Sequence, residues 1–301
     1  MSQGSSLRAV LYALAANAGI LIAKGTAAAL TGSSAMLAEA IHSAADCGNQ
    51  VLLLLGLKDA KRAPDAKHPL GYGRVVYFWA FLVAALLFTL GGMFSIYEGW
   101  HKLDQAQAVS SPAIAIGVLL VAIILEGFSL AGCIREIRKV SGSRTLWRFF
   151  RTSRNSELIV VLGEDIAALA GLAFALMAIG IALWTGNPMF DAIGSMAVGV
   201  LLVVVAILLS VEIKAMITGE SAEAATERAI RDFLLARPEL AELYNLISLQ
   251  IGDGIMLAIK ARMKENASAT KLIGDINRVE ADLRAAFPAV RWCFFEPDTR
   301  N

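Results

Sequence analysis

Residues 38–50 read AEAIHSAADCGNQ, and they sit in the middle of a segment that begins GSSAML and ends VLLLLGL. Glu39, His42, Asp46 and Gln50 (or Asn49) follow one another at intervals of three or four residues, so on a helix they form a single stripe rather than a scatter. A charged group near the centre of a bilayer costs at least about 2.5 kcal/mol, which turns such groups toward a bundle interior and makes them markers of an ion or proton path. The alternative is a packed polar stripe satisfied by neighbours such as Asn17 on the preceding hydrophobic segment.

The rest of the chain supports a membrane setting. Of 301 residues, 57% are hydrophobic and 18% charged, and the mean hydropathy is +0.61; an ordinary soluble domain is less apolar. About 20 apolar residues cross the hydrocarbon core, and six segments qualify, roughly 9–30, 34–57, 76–99, 112–134, 157–184 and 189–212. Basic residues gather after the second segment (Lys58, Lys61, Arg62, Lys67, Arg74) and after the fourth (Arg135, Arg138, Lys139, Arg144, Arg148, Arg151, Arg154). The positive-inside bias makes both loops, and with them both termini, cytoplasmic. The start, MSQGSSLR, resembles neither a secretory signal nor a transit sequence, which favours a plasma or bacterial inner membrane. A net charge of +1 argues against nucleic acid as a partner. Cys47, Cys133 and Cys293 form no C-x-x-C pair and read as packing residues.

From about residue 220 the chain turns polar. A helix ends at Pro238; Ile247, Leu249 and Ile251 alternate with polar residues; GDG makes a turn; Ile255, Leu257, Ile259 and Ala261 alternate again. That is a hairpin. Leu272, Ile276, Val279, Leu283 and Phe287 recur at helical spacing, and VRWCFF closes the domain as a third strand. The fold class expected is thus an all-α six-helix transmembrane bundle over residues 1–219, plus a small α+β domain over 220–301, αββαβ and ferredoxin-like. At about 80 residues the second unit is near the lower limit for an independent core, so dimerisation is expected of it.

A second constellation lies in the fifth segment, where VVLGEDIAALAGLAFA places Glu164 and Asp165 in an apolar run. Imidazole and carboxylates are the donors that suit zinc, manganese, cobalt or nickel, and His42 with Asp46 at i,i+4 lets one helix offer two of them. Carboxylates crowded into one pocket repel and take up protons, which a bound metal displaces, so metal and proton movement are linked. Glu126 in the fourth segment is either a proton-path residue or a partner for Lys24.

SSAMLAEAIHSAAD, KHPLGYGR, IYEGWHKL, an acid in the fifth segment and the αββαβ tail, taken in this order over essentially the full chain, resemble the cation diffusion facilitator family of metal transporters. GEDIAAL and RWCFFEPD look most like its subgroup that includes the mitochondrial zinc transporter 9. The resemblance implies a homodimer in the lipid bilayer that exports a divalent cation from the cytosol against protons; it implies no prosthetic group, only a metal cargo and a proton counter-ion. It carries the metal-ligand roles onto His42, Asp46 and Asp165. The family's remaining ligand position falls on Val161, which cannot bind metal. Glu164, about 60° around the helix from Val161, is the expected replacement, with Asn17 or water completing the shell otherwise.

Of the family's accessory sites, Asp65 and His68 in the loop before the third segment are what remains, because Tyr72 occupies the usual histidine position, and the tail contains no histidine at all. Zinc leads as cargo on family grounds; one imidazole with several carboxylates keeps manganese, cobalt and iron in competition. A transport-inactive binding or scaffold protein is the alternative that Val161 keeps open. A membrane metalloenzyme is the third reading, disfavoured because H-E-x-x-H is absent, and without a P-loop ATP is not the evident driver.

Overall fold

The structure, a computed structural model, describes residues 2–31, 34–104, 112–142, 144–265 and 268–300. Helix α1 (Ser2–Thr31) is followed by α2 (Ser34–Asp59), the helix that carries the polar stripe. The third hydrophobic segment is composite: α3 (Val75–Leu86) passes through a π-helical stretch (Leu87–Met93) into α4 (Phe94–Asp104). Then come α5 (Pro112–Ser141), which starts on proline where no intrahelical N–H is needed, the short α6 (Leu146–Thr152), α7 (Ser156–Thr185) and α8 (Met189–Thr218). The Thr145 hydroxyl caps α6 by accepting from the Arg148 N–H at 3.3 Å, and α7 stops at Gly186 in the left-handed conformation, φ +67°.

Among the described residues, five helical stretches are long and apolar enough to cross a membrane: Gly4–Leu30, Val75–Leu103, Pro112–Ser141, Ser156–Thr185 and Met189–Thr218. The sixth expected from sequence, α2, has 26 residues, a length of about 39 Å at the helical rise. Its length suffices; its stripe of polar residues and the terminal Lys58 and Asp59 dilute its hydropathy. α2 packs against α1 and α3, while α7 packs against α5 and α8. Their shared core contains Leu53, Tyr77, Ile137, Phe149, Leu158, Val161 and Leu209. Among the glycines of α7 and α8, Gly194 abuts Ala178, Gly199 abuts Ile96 and Gly171 meets Val198, whereas Gly180 faces open space.

After α8 the chain forms α9 (Ala224–Leu235), β1 (Leu240–Ile251), β2 (Gly254–Met263), α10 (Ala269–Ala286) and β3 (Val290–Pro297). β1 and β2 are an antiparallel hairpin in which Ile251 pairs with Gly254, and β3 lies parallel to β2 after the α10 crossover. The αββαβ order read from the sequence is the order found. Ile230 and Leu234 of α9, Val279 and Leu283 of α10, and Leu257 and Ile259 of β2 form a second core. On another row of the sheet Ile247, Ala258 and Phe294 are in register, and Ile247 and Phe294 remain 54% and 57% exposed.

The hairpin tip seats on the helical bundle. The Gly252 N–H donates to the buried Tyr77 hydroxyl at 3.0 Å, and Gly252 has φ +59°. A Cβ on Gly252 would lie 2.6 Å from the Gly73 carbonyl oxygen, and one on Gly73 would lie 2.8 Å from that of Ile251. Only glycines allow the two backbones to approach this closely. Arg144 to Glu223 at 2.7 Å and Arg154 to Glu220 at 3.0 Å bridge the same seam.

Candidate metal-ion site

The two acids of α7 are adjacent in sequence and therefore about 100° apart around the helix, so each meets a different neighbour. Both are buried, Glu164 7% and Asp165 2% exposed. Glu164 turns to α2: its Oε1 accepts from Asn49 Nδ2 at 3.2 Å and its Oε2 from Gln50 Nε2 at 2.6 Å. Asp165 turns to α5, where its Oδ2 accepts from Ser129 Oγ at 3.0 Å. Val161, one turn earlier, is wholly enclosed in the apolar core.

Asp46 and Glu126 lie within electrostatic range of Glu164, and Asp46, Asp165 and Lys24 within range of Glu126. Three helices thereby bring four carboxylates together: Asp46 from α2, Glu126 from α5, Glu164 and Asp165 from α7. Lys24 of α1 is a cation acting on Glu126, as one of the two sequence readings anticipated. His42 is half-buried one turn before Asp46 on α2, and Asn17 is buried on α1; Glu39 is on α2, but its side chain lies outside the described residues. Among the described residues no three His, Cys, Asp and Glu side chains are close enough to enclose a metal ion. Neutral donors hold the acids in this conformation, and His42, Asp46, Glu164 and Asp165 are not drawn together into one shell.

Three participants escaped the sequence reading as site residues. Asn49 and Gln50 were visible as stripe members, and the i,i+4 step from Asp46 to Gln50 was the available signal; that they clamp Glu164 depends on how α2 faces α7. Ser129 is three residues from Glu126 on α5, and a small hydroxyl in an apolar span was the only hint of it.

The loop before α3 uses Asp65 structurally. Asp65 Oδ1 accepts from the backbone N–H groups of Lys67 at 2.9 Å and His68 at 2.7 Å, and Oδ2 accepts from the Tyr72 hydroxyl at 2.5 Å. His68 Nδ1 stands 3.3 Å from Oδ1, and the Arg62 guanidinium covers the Tyr72 ring at 4.1 Å. Donation by Tyr72, then by the backbone amides, lowers the Asp65 carboxyl to about 2. Tyr72, which replaces the accessory-site histidine, is here the residue that ties the loop to Asp65.

This arrangement of apolar helices around buried acids agrees with the similarity of the sequence to known proteins. The model of the cation efflux transmembrane domain matches residues 10–217. The mitochondrial proton-coupled zinc antiporter SLC30A9 of Xenopus laevis is 34% identical over 225 residues, covering 74% of this chain and 40% of the relative. Metal tolerance protein C4 of Arabidopsis thaliana is 33% identical over 251 residues, 83% of this chain and 55% of the relative, and zinc transporter ZitB of Pectobacterium atrosepticum is 27% identical over 267 residues, 86% and 76%. The chain belongs to the cation diffusion facilitator family, a family of metal transporters rather than enzymes, and within it resembles SLC30A9. It spans about 40% of the length of that relative.

Proposed function

We propose that the chain is a secondary transporter that moves a divalent transition-metal cation out of the cytosol in exchange for protons, with zinc as the leading cargo. The observation that carries the reading is the burial of Glu164 and Asp165 in an apolar span, faced by Asp46 and Glu126 from neighbouring helices. Uncompensated carboxylates are costly in this setting, and a transported cation or its exchanged protons supply the compensation. His42, Asp46, Glu164 and Asp165 are the proposed cargo ligands; Asn49, Gln50 and Ser129 orient Glu164 and Asp165 through their hydrogen bonds. α2 counts as the sixth span, and the two halves of the chain divide at 219/220 into transport and dimerisation units.

Alternating access follows the usual logic of a fixed site between helices that rock against each other. Protons arriving from the outer side neutralise the carboxylates and imidazole and discharge the metal. The exposed Ile247 and Phe294 row and the small size of the domain support a homodimer formed through the sheet. The positive-inside bias of the basic loops supports cytosolic termini, and a bacterial inner membrane is the proposed setting. The test is uptake of Zn²⁺ and Mn²⁺ by purified protein in liposomes, with and without an outward proton gradient, beside Asp46→Ala. Gradient-stimulated uptake lost in the variant is the expected result; binding without accumulation moves the scaffold reading forward.

A further inference from the structure

Gln50 is 0% exposed, and its Nε2 donates to Glu164 Oε2 at 2.6 Å. That contact fixes the amide orientation, since the carbonyl end facing a carboxylate oxygen would place two acceptors in opposition. The consequence is that Gln50 Oε1 is left buried with no hydrogen-bond partner among the described residues. An orphaned buried amide oxygen is destabilising, and this one belongs to the side chain that holds an acid of the proposed site. Gln50 lies one turn after Asp46, on the same stripe of α2. An oxygen acceptor lacking a donor, beside the Glu164 carboxylate that Asp46, Asp165 and Glu126 also act on, is suited to a cation.

We propose that Gln50 Oε1 is a direct oxygen ligand of the transported cation, so that the amide binds the ion with one end and steers Glu164 with the other. The inference rests on the transport reading of the site. It gives this chain a neutral hard donor where Val161 supplies none, and it tilts the site toward cations that accept oxygen, such as Mn²⁺, beside Zn²⁺.

The experiment is equilibrium binding of Mn²⁺, Zn²⁺ and Cd²⁺ to the purified full chain, comparing wild type with Gln50→Leu, Gln50→Cys, Gln50→Glu and Asp46→Ala. Gln50→Leu loses both functions of the amide and is expected to weaken metal binding about tenfold or more. That loss alone would also follow if Gln50 merely positioned Glu164, so the deciding readout is selectivity. A thiolate in place of the amide oxygen is expected to shift the Cd²⁺ to Mn²⁺ preference about tenfold or more toward Cd²⁺. Gln50→Glu, which keeps the shape and adds a charged oxygen, is expected to tighten binding. An unchanged Cd²⁺ to Mn²⁺ ratio in Gln50→Cys, with unchanged affinity in Gln50→Glu, overturns the proposal while loss of binding in Asp46→Ala leaves the transport site standing. Wild type that binds no metal overturns both.

Discussion

Acidic residues are treated in opposite ways in the two halves of the molecule. In the small α+β domain they meet cations: Arg237 reaches Glu239 at 3.2 Å and Asp282 at 2.6 Å, Lys260 reaches Asp298 at 3.0 Å, and Arg291 reaches Asp253 at 2.7 Å. In the helical bundle Glu164 and Asp165 meet two amides and a hydroxyl. Partly exposed pairs contribute modestly and tolerate loss. Buried acids facing neutral donors cost stability in the absence of a cation. The difference separates charges compensated by neighbouring cations from charges held by neutral donors.

The comparison breaks most readily at Asp165. Asp165→Ala is expected to reduce metal uptake into liposomes to background while the bundle stays folded, because an apolar residue relieves a desolvated acid; full-rate uptake would place the cargo path elsewhere. Ser129→Ala comes next: it removes the hydroxyl that donates to Asp165, and metal affinity measured by titration should fall about tenfold, with Ser129→Thr restoring it. An effect of this size from a hydroxyl contact is the sign of an orienting role.

In the other half the expected effects shrink. Arg237→Ala breaks contacts to Glu239 and Asp282 and a guanidinium that lies over Phe233, and should lower the stability of the α+β domain by about 1 kcal/mol, read as faster amide exchange in α9 and α10. Raised salt should weaken the same pairs and leave the Glu164 amide clamp unaffected. The smallest effect is at the exposed loop. The Asp65 carboxyl is held down at about 2, below its ordinary value, so its contribution is present above that ordinary value and is lost as pH falls through about 2. Tyr72→Phe removes the largest cause and moves the loss upward toward the ordinary carboxylate range, which slow exchange of the Lys67 and His68 amides against pH would detect.

Periodicity made most of the fold legible. Long apolar runs can satisfy their backbone in lipid only as helices, and alternation around GDG specifies a hairpin, so five of the six expected spans, the αββαβ order and the acids of α7 follow from residues 9–212 and 221–297 read locally. The composite third helix escaped notice, because the π-helical stretch Leu87–Met93 lies inside one continuous apolar run, Val75–Leu103. The placement of Glu164 within an apolar span was legible; its partners Asn49 and Gln50 were not.

What the sequence determined by itself is that polar and charged groups lie within the apolar runs of α2 and α7, since a polar stripe inside an apolar span is a property of one helix. Which acid faces which helix was decided by tertiary structure alone. The rotation of α7 sends Glu164 to Asn49 and Gln50 and Asp165 to Ser129, and the seating of Gly252 against Gly73 and Tyr77 joins residues 175 positions apart. Such contacts depend on how rigid elements pack, and packing is settled by the shapes of all the helices together rather than by the spacing along any one of them.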